Sequence, residues 1–392
     1  MSTPTTAQDQ GLTVAGLFAG IGGLELGLHQ SGAHTKLLCE VWEPARAVLG
    51  EQFPGVDLRG DIGEVAELPE TDIVTAGFPC QDLSQAGRTA GIHGDQSSLV
   101  RHLFRLLRKS HPRWVVIENV RNMLVLDRGN AMKYLINELE DLDYRWAYRL
   151  VDSRFTGAPQ RRQRVILVAS RDDDPRSVLF TDDAGEPNDD QYRSEAYGFY
   201  WTEGLTGVGW AKDAVPTLKG GSSIGIPSPP AVWIREGQPG KAIVTPSISD
   251  AEHLQGFPRG WSLPALATSG RRSYRWRLVG NAVTVGVSAW LGGRLANPAA
   301  VLPLLEVELS HAARWPTAAW GGNGRRWMVP VSMWPEVRPY EHLLDALDLE
   351  NVTPLSWKAA HGFRTRMERS KLRFDEGFKL AIKEHEDVML ER

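Results

Sequence analysis

The chain is poor in cysteine: 392 residues carry only Cys39 and Cys80, too few for a disulfide framework or a cysteine-rich zinc site. No bound metal is expected. It has no uninterrupted apolar run approaching the roughly 18 residues of a membrane-crossing helix. Its opening residues, MSTPTTAQDQ, lack the basic and apolar blocks of a secretory signal. A cytoplasmic location with no membrane partner is therefore expected. Positive charge is not in excess either: 44 Lys and Arg against 48 Asp and Glu leave a net charge of −4. Any surface for nucleic acid must then be a local patch. Basic residues gather at Arg161, Arg162 and Arg164, at Arg271, Arg272, Arg275 and Arg277 around Tyr274 and Trp276, and from Arg364 to Arg373. Each cluster has a plain alternative as a solvated face.

What is present is a globular composition, 42% hydrophobic, in a chain long enough for at least two domains. The first half alternates short apolar runs with helical patterns: TVAGLFAG then IGGLELGLHQ, KLLCEVW then EPARAVLGEQF, DIVTAGF then SSLVRHLFRLLRKS, WVVIENV then AMKYLINELEDL. That rhythm predicts an α/β fold with a doubly wound parallel sheet, which RWAYRLVDS and RVILVAS would extend. Ligands in such sheets bind beyond the carboxyl ends of the strands. After Ser170 the pattern gives way to acidic and then Gly/Pro/Ser-rich sequence. We divide the chain into a catalytic unit over 11–170, a small loop-rich domain over 171–276, a return to the first unit over 277–297, and a C-terminal extension over 298–392. The extension contains several tryptophans and ends in an amphipathic helical pattern.

Several places carry chemistry. Phe18-Ala19-Gly20-Ile21-Gly22-Gly23 joins the first strand to the first helix, where glycines allow a sharp turn and close approach of a ligand. A packing turn would leave the same mark. Glu40 and Asp61-Ile62 follow the next strands, positions from which a carboxylate can accept from ribose hydroxyls and an apolar edge can meet a base. Gly77-Phe78-Pro79-Cys80-Gln81 ends the fourth strand, and a cysteine in so polar a loop is poorly explained as core packing. Glu118-Asn119-Val120 ends WVVI, and Gln160-x-Arg162-x-Arg164 enters RVILVAS with a strand period that puts three donors on one face. Surface acids and exposed arginines are the ordinary alternatives.

The order of these motifs, completed by Leu254-Gln255-Gly256-Phe257-Pro258 and Gly280-Asn281-Ala282-Val283, resembles the cytosine-C5 DNA methyltransferase family over roughly residues 13–295. The resemblance implies a Rossmann-like domain that binds S-adenosylmethionine, with a small target-recognition domain. It assigns Phe18, Gly20, Gly22, Glu40, Asp61, Ile62 and Pro79 to the cofactor, with Leu99, Asn281 and Val283 closing the pocket. The family often has an aromatic directly after the Glu40 position; here Val41 stands there and Trp42 follows, leaving open which covers the adenine. Cys80 is implied as the nucleophile, Glu118 as the acid at the pyrimidine, and Arg162 and Arg164 as donors to the base. Asp250 takes the place of the acid before the Leu-Gln-Gly-Phe-Pro motif.

The implied activity is methyl transfer to carbon 5 of a cytosine flipped out of duplex DNA. The segment after Cys80, QDLSQAGRTAGIHGDQ, is expected to close over that base. Candidate groove contacts in the small domain are Trp210, Lys212, Lys219, Ser222, Ser223 and Arg235. The implied setting is a bacterial restriction-modification or antiphage system with cognate defence proteins. The alternatives are a relative acting on transfer RNA, whose usual Cys-Phe-Thr signature is missing here, and a catalytically silent DNA-binding protein. The extension either packs on the catalytic unit, docks a partner, or binds DNA through Arg364, Arg366, Arg369, Lys371 and Arg373.

Overall fold

In the computed structural model, residues 11–79, 99–221, 227–269, 271–310 and 312–391 are described. The first half folds as its apolar rhythm predicts. Strands β1 (Thr13–Leu17), β2 (His34–Cys39), β3 (Asp57–Arg59), β4 (Ile73–Ala76) and β5 (Trp114–Val120) lie parallel in the order β5-β4-β1-β2-β3. Helices α1 (Gly23–His29), α2 (Glu43–Gln52), α3 (Leu99–Ser110) and α4 (Asn130–Glu140) alternate with them. β1, β4 and β5 are covered on both faces, which is why they read as unbroken apolar runs. α3 shows the complementary pattern, burying Val100, Leu103, Phe104 and Leu107 while Arg101, Arg108 and Lys109 face outward. The chain runs outward from β1 to β3 and then returns to β4 on the other side of β1. This places the topological switch point, where ligands of open α/β sheets bind, between β1 and β4.

β6 (Arg145–Asp152) and β8 (Gln163–Ser170) extend the sheet, both antiparallel to their neighbours. Between them lies the two-residue β7 (Gln160–Arg161). Beyond Ser170 the structure has regular elements that the sequence pattern does not show. β9 (Ala196–Phe199), β10 (Ala211–Lys212), β12 (Ala231–Ile234) and β13 (Ile243–Thr245) form an antiparallel sheet, while β11 (Val215–Pro216) pairs with β7. Helices α5 (Ile248–Leu254), α6 (Arg272–Asn281) and α7 (Val285–Ala296) return the chain to the large sheet, where α7 packs against α1.

The residues from 298 onward divide between the two sheets. β14 (Val307–Glu308), β15 (Ala318–Gly322) and β16 (Arg325–Met328) complete the large sheet, β15 pairing with β6 from Ala318↔Arg149 to Gly321↔Trp146. β17 (Thr353–Pro354) adds to the edge of the small sheet at β13. Helices α8 (Trp357–Arg369) and α9 (Glu376–Leu390) then pack on that sheet through a cluster containing Phe199, Trp233, Phe363 and Phe378. Among the described residues no helix is long and apolar enough to cross a membrane.

Candidate active site

A cleft of about 430 Å³ opens at the carboxyl ends of β1, β2, β4 and β5. Phe18 follows β1, Glu40 follows β2, Gly77-Phe78-Pro79 follow β4, and Glu118-Asn119-Val120 end β5; all line it. Gly20, Val41, Trp42, Leu99, Arg164, Asn281 and Val283 complete the predicted residues present on its walls. The first turn is strained. Phe18 has φ +56°, a region unfavourable for a residue with a side chain, and Gly20 and Gly22 follow at +58° and +80°. Gly22 has a second constraint, because a Cβ there would sit 2.3 Å from the Phe53 ring. Gly20 instead has open space where a side chain would be. Its N–H donates to Glu40 Oε2 at 2.9 Å, and Trp42 N–H donates to Oε1 at 2.8 Å. Burial pushes the Glu40 carboxyl up while these bonds favour its charged form.

At the other end of the cleft, the register between β5 and β8 places Val120 opposite Arg164, so Glu118 is its diagonal neighbour on the same face. Arg164 Nε meets Glu118 Oε1 at 2.8 Å with both side chains about nine-tenths buried. Burial lowers the Arg164 guanidinium from the usual arginine range, and the Glu118 charge opposes that shift. Glu118 Oε2 lies 3.7 Å from where a Cβ on Gly77 would be, and Asn119 Nδ2 donates to Phe78 O at 3.0 Å. The backbone leading to residue 80 is thus tied against the strand that carries Glu118. Cys80, its following loop, Ser222 and Ser223 lie outside the described residues.

Other predicted residues lie elsewhere. Arg162 is fully buried and does not reach the cleft surface. Its terminal nitrogens donate to Leu218 O, Gly280 O and Ala282 O at 3.1, 3.2 and 2.6 Å. Gln160 is equally buried, bonded to Leu254 O, Gln255 Oε1 and Leu218 N. Gln255 in turn donates to Val279 O and Ala282 O and accepts from Thr284 Oγ1. The three donors expected on one face therefore divide: Arg164 faces the cleft, while Gln160 and Arg162 knot three distant motifs together behind its Asn281–Val283 wall. Gly22, Asp61 and Ile62 are also absent from the cleft lining. Asp61 is exposed and accepts from Gly63 N–H, and Ile62 is buried in the core beneath α3. Asp250 forms a capping box with Ser247 on α5 and pairs with Arg259.

Arg277 was not foreseen as a cleft residue. It lines the wall with its guanidinium 4.7 Å from the centre of the Trp42 ring. The Arg271–Arg277 cluster hinted at it without separating Arg277 from Arg275, which is buried against Glu252. Among the groove candidates, Lys212 pairs with Asp189, Lys219 with Glu203 across the face of Tyr200, and Arg235 with Asp375. Trp210 belongs to the aromatic cluster with Tyr197 and Trp233.

Glu25 had no sequence signal at all, since a glutamate on a short helix reads as surface. It is 1% exposed behind the Gly-rich turn, accepts from Thr75 Oγ1 at 2.8 Å, and leaves Oε2 without a partner among the described residues. Burial pushes its carboxyl up to about 7. Below about pH 4.5 both folded and unfolded chains hold this proton. Between that and about pH 7 only the folded chain does, so stability falls as pH rises, and the full penalty persists above. Glu25→Gln is expected to gain about 3 kcal/mol over the wild type between pH 5 and pH 8 in urea unfolding. A stability difference that does not move with pH would remove Glu25 from the buried titrating groups.

Known proteins resemble this chain in sequence and in fold. Residues 12–201 match the family model described as C-5 cytosine-specific DNA methylase. The type II methyltransferase M2.BsuMI of Bacillus subtilis (strain 168) is 48% identical over 395 residues, covering 97% of this chain and all of that protein. The type II methyltransferase M.HhaI of Haemophilus parahaemolyticus is 34% identical over 165 residues, 42% of this chain and 50% of that one. In fold, the S. pombe Dnmt2 methyltransferase superposes with a TM-score of 0.54 at 16% identity, over 73% of this chain and 99% of that one.

Proposed function

Since this chain belongs to the C-5 cytosine-specific DNA methylase family and is a DNA (cytosine-5-)-methyltransferase akin to type II restriction-modification enzymes, we propose that it acts on a base flipped from the duplex, with Cys80 as covalent nucleophile. The observation that carries this is the buried Glu118–Arg164 pair, set in the cleft beside the backbone that leads to Cys80. The cleft also fits the cofactor its family uses: open space at Gly20, a carboxylate at Glu40 held by two N–H groups, and the Trp42 ring above. Gly20, Glu40, Trp42, Asn281 and Val283 would hold S-adenosylmethionine. When bound, it supplies an electrophilic methyl group.

The rest falls to the protein. A thiol cannot reach carbon 6 of a stacked cytosine, so the base must rotate out at a cost of a few kcal/mol. The Cys80 thiolate then bonds to carbon 6, and electron density moves toward ring nitrogen 3 and the carbonyl oxygen. Glu118 Oε1 is engaged by Arg164, which leaves Oε2 to share a proton with nitrogen 3; remaining Arg164 donors would meet the carbonyl oxygen. Carbon 5, now electron-rich, can accept the methyl group. Loss of its proton to water or a loop group then expels the Cys80 sulfur and restores the ring. The small sheet with its loops would read the surrounding bases, and the product would mark self DNA against a cognate nuclease.

Bisulfite sequencing of duplex DNA incubated with the protein and S-adenosylmethionine is expected to show methylated cytosines at one recurring motif. A duplex carrying 5-fluorocytosine at that motif lacks the proton needed for elimination. It should therefore leave a denaturant-resistant protein–DNA adduct. Methylation with no adduct would sink the covalent route, and no methylation of duplex DNA while the cofactor binds would sink the reading as a whole.

A further inference from the structure

Arg161, between the two buried donors Gln160 and Arg162, has no part in the chemistry above. It is half-buried, and no hydrogen bond or ion pair holds its side chain among the described residues. Asp152, whose charge reaches it, is already gripped by Arg154 through both oxygens. Burial and the Arg154 charge both work against the Arg161 cation. An unpartnered guanidinium so placed calls for an anion.

It stands between two cavities. One, about 480 Å³, includes Arg121, Gln163, Arg164 and Thr217 and adjoins the Glu118–Arg164 pair. The other, about 410 Å³, lies between residues 207–210 and the tail segment Leu372–Asp375. Of the tail cations, Arg364 is spent on Glu386 and Glu368, and Arg366 on the carbonyls of Trp201 and Glu203. Arg373 is exposed, lines the second cavity and has no partner among the described residues. The acid of that wall, Asp375, caps α9 by accepting from Phe378 N–H and pairs with Arg235. Trp210, Leu372 and Phe374 supply the apolar part of the lining.

We propose that Arg161 and this tail segment form a seat for the sugar-phosphate backbone beside the extruded cytosine, with Arg161 and Arg373 on phosphate oxygens and the apolar wall against deoxyribose. The inference rests on the flipped base lying at Glu118 and Arg164. A strand held there continues into the adjoining cavity, where unpaired cations match its charge. The tail beyond the shared catalytic motifs then takes part in holding DNA.

The test is equilibrium binding of the methylated-motif duplex across a salt series by Arg161→Ala, Arg373→Ala and Arg373→Lys, with S-adenosylmethionine binding measured alongside. Each alanine variant is expected to bind roughly threefold to tenfold more weakly and to reduce the slope of log affinity against log salt by about 0.9. Arg373→Lys should keep the slope, and cofactor affinity should not move. Arg373 is exposed and unbonded, so its variant folds and decides the matter alone. Wild-type affinity and slope in Arg373→Ala, with a wild type that binds and methylates duplex DNA, overturn the seat and leave the proposed function standing. A wild type that methylates no duplex brings down both.

Discussion

Cys80→Ser is expected to transfer no measurable methyl group, a loss of roughly four orders of magnitude or more, while binding S-adenosylmethionine within about threefold of wild type. The thiol ionises near pH 8.5 when unperturbed, whereas a serine hydroxyl stays protonated throughout the working range. Among the described residues no group replaces what is lost, because Arg164 is committed to Glu118 and the Glu118 carboxyl has to face the ring rather than act as base to a hydroxyl. The cofactor side should be spared. Pro79 lines the cleft, yet the contacts that shape it come from Gly20, Glu40 and Trp42 at the far strands. Labelled-methyl transfer and calorimetric titration separate the two effects. A serine variant retaining a tenth of wild-type rate would show that carbon 6 is not attacked by this residue.

Arg162→Ala is expected to cost stability instead, roughly 3–5 kcal/mol in urea unfolding. Removing a desolvated cation recovers part of what its burial costs. Against that, the truncation strands Leu218 O and Gly280 O, each worth about 1–3 kcal/mol when buried without a donor, and leaves Ala282 O with only the longer bond from Gln255 Nε2 at 3.3 Å. The void left by so large a fully buried side chain adds to the loss. The orphans outweigh the recovered desolvation. Because Gly280 and Ala282 flank Asn281 on the cleft wall, the surviving folded enzyme should show a raised KM for the cofactor more than a lowered kcat. An Arg162→Ala enzyme as stable as wild type but inactive would put Arg162 at the reacting base after all.

These two arginines mark how far the sequence carries. The strand period says only that Gln160, Arg162 and Arg164 share a face; it is the regular pairing of β8 with β5 over Val115–Val120 that brings Arg164 to the face of Glu118. The same period could not show that regular pairing stops at Gln163, leaving Arg162 between β7 and β8 where it turns inward to carbonyls. The parallel half was legible because strands buried on both faces announce themselves as apolar runs. The small sheet was not, since β9, β10, β12 and β13 are two to four residues long and owe their cover to α8 and α9, far along the chain. Glu25 escaped for a related reason: its environment is set by Thr75 and Gly16, fifty and nine positions away in sequence.

The knot formed by Gln160, Arg162, Gln255 and Thr284 bears on how such genes decay. Those residues, together with the glycine–asparagine turn they support, stabilise the fold, whether or not the chain ever turns over substrate. A descendant that lost its activity but kept a use for its shape would retain them under the same pressure as a working enzyme. Cys80 and Glu118 would be free to drift. Part of three of the signatures by which such a chain is recognised therefore certifies its architecture, while the thiol, the carboxyl and the residues that face the cleft testify to its trade.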